Sequence, residues 1–142
     1  FGQQNPGRVA RTIRLALKTA LGCGIFFFAA TLVFNHQIVG LFIDKSYQAY
    51  DIAVNGIPYF AVGYLFFALN IVDIGYYQSI ERARRATVIT LFRGTLFMLA
   101  GFLLLPPVLG VRGIWLAVPL AELLTLLLII GIYLKDSFTV RR

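Results

Sequence analysis

Four long apolar runs, each bounded by short polar or basic segments, organise the chain. About 20 consecutive apolar residues cross the hydrocarbon layer of a bilayer as a helix, so each run predicts a transmembrane span. The first is expected from about Val9 to Phe34, centred on Ala20 to Val33, and Asn35, His36 and Gln37 interrupt it before an apolar tail, Ile38 to Ile43. The second runs from about Tyr50 to Ser79, the third from about Ala86 to Leu105 and the fourth from about Gly113 to Leu134. Pro106 and Pro107 are expected to end the third span, and Gly110 and Gly113 to turn the chain into the fourth. Residues 1–142 therefore read as one all-α, polytopic membrane unit.

Within the spans, small residues and prolines predict local geometry. Ala16, Ala20 and Gly24 recur every four residues, a ladder that lets helix backbones approach closely in lipid. Pro58 and Pro119 each remove a backbone donor and crowd the preceding turn, so kinks are expected in the second and fourth spans.

Polar residues at helical spacing carry the candidate chemistry. Asn55, Tyr59, Phe66, Asn70, Asp73 and Tyr77 fall on one face of a second span drawn as a single helix. Such a stripe is expected to face the protein interior or a watery cavity, either as a hydrogen-bonded seam or as a substrate or ion pathway. Arg93 and Glu122 interrupt the third and fourth spans. At 1.5 Å per residue, Arg93 stands about 10 Å, Asp73 about 9 Å and Glu122 about 18 Å above the same end of their helices. Unpaired charge at that depth costs at least several kcal/mol, so Arg93 is expected to pair with Asp73, Glu122 or both. A carboxylate so placed serves as a fixed counter-ion or exchanges H⁺ or Na⁺; Glu122 reads as the fixed one and Asp73, on the stripe, as the exchanger.

Charge orients the spans. Ten of the thirteen basic residues (Arg8, Arg11, Arg14, Lys18, Arg82, Arg84, Arg85, Lys135, Arg141 and Arg142) fall at one end, only Lys45 and Arg112 fall at the other, and Arg93 lies within a span. Basic residues are retained in the cytoplasm, so both ends of the chain are expected there. Composition agrees: 59% of the 142 residues are hydrophobic and 13% charged, against about 45–50% and about 25% in soluble domains. At that hydropathy the net charge of +7 points to anionic lipid rather than nucleic acid. One cysteine, Cys23, and one histidine, His36, leave no disulfide, no metal-ligand spacing and no catalytic cluster, so neither an enzyme nor a cofactor is expected. The start at Phe1 lacks signal-peptide features, and the chain is expected to begin within a longer protein.

Several stretches resemble the multidrug and toxic compound extrusion (MATE) antiporters. Tyr76-Tyr77-Gln78-Ser79-Ile80-Glu81-Arg82-Ala83-Arg84-Arg85-Ala86 resembles the exit from that family's tenth helix, and Leu91-Phe92-Arg93-Gly94 its eleventh. The run from Leu105 through Gly113-Ile114-Trp115, Pro119 and Glu122 resembles the turn into the twelfth. Leu41-Phe42-Ile43-Asp44 is similar to the segment after helix nine, and Asn5-Pro6-Gly7-Arg8-Val9 to the basic approach to it. The resemblance implies the last four helices of a twelve-helix transporter, in the second of two six-helix lobes. It also implies export of amphipathic, mostly cationic small molecules in exchange for H⁺ or Na⁺ by rocking of the lobes, in a bacterial inner membrane. Its partners would be membrane lipid, the missing N-terminal helices and the exported substrates. Glu81 departs from the pattern, standing where many members have glycine, which favours a subgroup. The acid that some members use on the tenth helix lies farther from the helix exit than Asp73, so that role is not carried over. The alternatives are a flippase for lipid-linked oligosaccharide or polysaccharide precursors, and a self-contained four-helix membrane subunit.

Overall fold

The computed structural model describes residues 6–80 and 82–139, with the side chains of 7–80 and 82–135. The motif residue Asn5, Glu81, and the basic residues Arg141 and Arg142 lie outside the described residues. Among those described there is no strand. Helix α1 spans Pro6–Val33, α2 Asn35–Gly40, α3 Gln48–Ala61, α4 Gly63–Ser79 and α5 Ala83–Leu91. A π-helical turn over Phe92–Phe97 joins α5 to α6, Met98–Leu109, and α7 spans Val111–Thr139.

Among the described residues three continuous helices are long and apolar enough to cross a membrane, Gly7–Val33, Ala83–Leu109 and Val111–Lys135, and the bent pair α3–α4 makes a fourth crossing if taken as one span. The second span is thus not the single helix expected over Tyr50–Ser79: it bends by 43° between Ala61 and Gly63. The cause begins at Pro58, which has no N–H for the Val54 carbonyl one turn earlier. Asn35 fills that gap from α2, its Nδ2 donating to Val54 O at 2.6 Å. Beyond the bend, Gly63 lies against Pro119 of α7, where a Cβ would stand 3.4 Å from the ring. Pro119 itself sits inside an unbroken helix.

The double proline is not the end of the third span. Helix α6 continues through Pro106 and Pro107 to Leu109, because the two rings remove donors only towards Phe102 and Leu103 and leave the Pro106 carbonyl to accept from Gly110 N at 2.8 Å. Gly110, with φ +61°, makes the turn alone, a conformation that disfavours any side chain. Gly113, expected in the turn, belongs to α7, where a Cβ would stand 2.5 Å from the Leu105 backbone. The missing Cβ is what lets α6 and α7 pack tightly at the tip of their hairpin.

Helix α7 is the centre of the bundle and packs against α6, α4, α3 and the π-turn. Its buried residues Ala117, Ala121, Thr125 and Ile129 follow one another every four residues on one face, with Glu122 beside them, and Gly113 and Pro119 are buried as well. One apolar cluster gathers Ile74, Tyr77, Ala86, Ile89 and Ile129, and a second gathers Val39, Tyr50 and Ala53 against Trp115. Helix α1 joins through its ladder, with Gly24 against the Tyr64 carbonyl and Ala68. Many large apolar side chains face outward, among them Leu15, Phe26, Phe27, Leu99, Leu103 and Leu104. That inversion suits a hydrocarbon surround.

Candidate functional site

Three polar centres emerge, and they are separate. The first joins the spans through buried charge. The π-turn carries Arg93, whose Nε donates to Glu122 Oε1 at 2.8 Å. Asn70 of α4 donates through Nδ2 to Glu122 Oε2 and to the Glu122 backbone oxygen, each at 2.8 Å. Both carboxylate oxygens are therefore engaged, and the residue is only 4% exposed. The Arg93 guanidinium also lies over the Phe67 ring, 4.8 Å from its centroid, a favourable cation–π placement. Beside the pair is a cavity of about 270 Å³ lined by Phe60, Tyr64, Phe67, Met98 and Val118.

The second centre surrounds Asp73. It is 6% exposed, and Arg93 is not its partner, since the guanidinium turns to Glu122. Among the described residues no hydrogen bond or ion pair reaches its carboxylate. It stands instead in the wall of a cleft of about 370 Å³ with Ala10, Ile13, Arg14 and Leu17 of α1, Tyr76 of α4 and Tyr133 of α7. Tyr76 and Tyr133 stack with ring centroids 6.4 Å apart, and Tyr77 packs on Tyr133 at 5.8 Å. Charge, aromatic faces and space meet here.

The third centre holds the rest of the stripe. Asn55 and Tyr59 are exposed and line a groove of about 480 Å³ with Gln48, Asp51, Arg112 and Trp115. Asn55 donates back to the Asp51 carbonyl at 2.8 Å. The stripe is therefore not one continuous face. The bend at Val62 separates Asn55 and Tyr59 from Asn70, Asp73 and Tyr77, and the latter three are buried. The proline at 58 announces a kink in this span, but drawing the stripe on one helical wheel does not carry that kink through to the facing of its residues. Sequence reasoning also missed Arg14 and Tyr133 beside Asp73; their helical phase relative to α4 depends on where α1 and α7 cross it, for which the sequence offers no signal.

Among the described residues no group of His, Cys, Asp and Glu is placed to hold a metal ion. The polar centres instead sit within or between apolar helices, an arrangement suited to moving or anchoring charge within a membrane. Compared with known proteins, residues 1–103 match the MatE family model. The chain belongs to the MatE family. MatE members are transporters rather than enzymes, and with the apolar helices this makes the chain a multi-pass membrane protein of transport type. The match covers Asn70, Asp73 and Arg93 and stops before the run from Leu105 through Glu122. No significant match was found among curated proteins or among solved structures.

Proposed function

We propose that this MatE chain forms part of a secondary active antiporter that exports amphipathic, mostly cationic compounds in exchange for H⁺ or Na⁺. In this reading Asp73 is the exchanging carboxylate, and Arg93 with Glu122 is a fixed ion pair. The observation that carries it is the contrast between two buried acids. Glu122 has both oxygens occupied by Arg93 and Asn70, so releasing it for exchange would strand a cation. Asp73 has no such partner and opens on a cleft wide enough for an ion and its ligands.

The antiporter belongs to a twelve-helix plan in which these helices sit in the second lobe. The end of the bundle bearing Arg8, Arg11, Arg14 and Lys18 faces the cytoplasm by the positive-inside rule, in a bacterial inner membrane. The flippase reading has less support, because a phosphate-bearing cargo calls for several free cations inside the spans, and Arg93 is already committed to Glu122.

Efflux by the complete protein in proteoliposomes, driven by pH or Na⁺ jumps, tests the assignment. Asp73→Asn is expected to abolish ion-coupled efflux while the protein still folds. Glu122→Gln is expected to lower stability yet leave the residual efflux ion-dependent. Full ion-coupled efflux from Asp73→Asn removes Asp73 from the coupling role.

A further inference from the structure

Helices α1 and α4 touch where Gly24 meets Tyr64 and Ala68. Towards the basic end they leave a cleft, with Asp73 on one wall and Arg14 on the other. Ala10, Ile13, Arg14 and Leu17 follow the i, i+3, i+4, i+7 rule and so form one face of α1. Among the described residues Arg14 is the only charged one that α1 presents there. It is exposed, and among the described residues it makes no ion pair with Asp73 or any other acid.

We infer that Arg14 is a tethered counter-cation that competes with the coupling ion for Asp73. This rests on the reading of Asp73 as the exchanging carboxylate. An arginine side chain is long, flexible and permanently charged, and Arg14 and Asp73 line the same cleft. In the conformation described the guanidinium is exposed and unpaired with the buried carboxylate. When the coupling ion leaves, Arg14 swings in and neutralises a buried anion that would otherwise be costly to hold in an apolar surround.

Among the described residues no other charged group lines the cleft: the remaining titratable groups facing Asp73 are Tyr76 and Tyr77 on its own helix and Tyr133 on α7. α5 meets α4 there through the apolar Ala86 and Ile89. Arg93 in the third span is held by Glu122. Competition for Asp73 therefore falls to one residue.

The test is the half-saturating concentration of the coupling cation for efflux by the complete protein in proteoliposomes, set beside direct ²²Na⁺ or proton binding to the purified protein. Removing an opposite charge at this range favours an added cation, so Arg14→Gln is expected to lower that concentration about three- to tenfold. Arg14→Lys, which keeps the charge, should stay near the wild type. Arg11→Gln removes the same charge from a residue outside the cleft and should change nothing. In an Asp73→Asn background, Arg14→Gln should have no further effect on cation binding.

Equal effects of Arg14→Gln and Arg11→Gln overturn the inference, as does an Arg14→Gln shift that survives Asp73→Asn. If Asp73→Asn alone keeps full cation dependence, the coupling reading fails instead. A shift confined to Arg14→Gln and abolished by Asp73→Asn supports both.

Discussion

The amide of Asn35 donates to the Val54 carbonyl at 2.6 Å, taking the place of the helix bond that Pro58 cannot make. A short helix after the first span thus repairs a defect in the second. Leaving a buried carbonyl without a partner costs about 1–3 kcal/mol, and this one is partly buried, so Asn35→Leu is expected to destabilise the protein by an amount towards the lower end of that range in detergent or bicelle unfolding. Restoring the N–H with Pro58→Ala in the same chain should recover much of the loss. If the two substitutions add instead of compensating, the bond does not have this role.

Close backbone contact makes a second prediction. A Cβ on Gly113 would stand 2.5 Å from Leu105, and one on Gly101 would stand 2.8 Å from the Ala117 carbonyl. Both would push α6 away from α7, and overpacking of this kind costs about 1–3 kcal/mol. Gly131, on the same helix as Gly113, has nothing within 4 Å of its Cβ position, so Gly131→Ala should be neutral or stabilising by up to about 1 kcal/mol. Thermal unfolding of the three alanine variants ranks them, and equal midpoints would contradict the packing described.

The spans were legible because an apolar run of membrane length has few other uses. Their interruptions were only partly so: Pro58 marks the second span as kinked without fixing where the bend falls. The break at Val62 and the π-turn around Arg93 lie against residues of other turns and helices, namely Pro119, Glu122 and Phe67, whose placement a single span does not reveal. The placement of Arg93 beside Glu122 follows from the cost of lone charge in an apolar span. The Asn70 amide that completes the site does not, since on a helical wheel it is one more polar residue of a stripe. Reading Pro106 and Pro107 as a stop treated proline as a breaker wherever it falls, although near a helix end it forfeits only a bond or two.

Outside the spans, Asp44 titrates below its ordinary value of 3.8, because its carboxylate accepts the Ser46 backbone N–H and then the Ser46 hydroxyl. A depressed folded-state value contributes stability at and above the ordinary carboxylate range, which is lost as pH falls through the folded value. Ser46→Ala removes the hydroxyl bond and leaves the backbone one. Its Asp44 midpoint, followed by carboxyl carbon NMR, should rise towards 3.8 without reaching it, and the acid limb of the stability profile should move up with it. An unmoved midpoint would mean that the hydroxyl contributes nothing.

The Arg93–Glu122 pair permits the sharpest separation of structure from transport. Removing one partner leaves the other buried and uncompensated, a change worth about 3–5 kcal/mol. Arg93→Gln and Glu122→Gln should therefore each destabilise strongly. Arg93→Gln also frees an anion that Asn70 alone must hold. In the double variant no net charge remains in the site, and Asn70 can still donate to the new amide oxygen, so its loss should be smaller than either single loss. A fixed pair further predicts that the double variant, once folded, keeps ion-coupled efflux, because Asp73 and its cleft are untouched. Efflux that loses its ion dependence when both charges are removed would make the pair part of the coupling machinery.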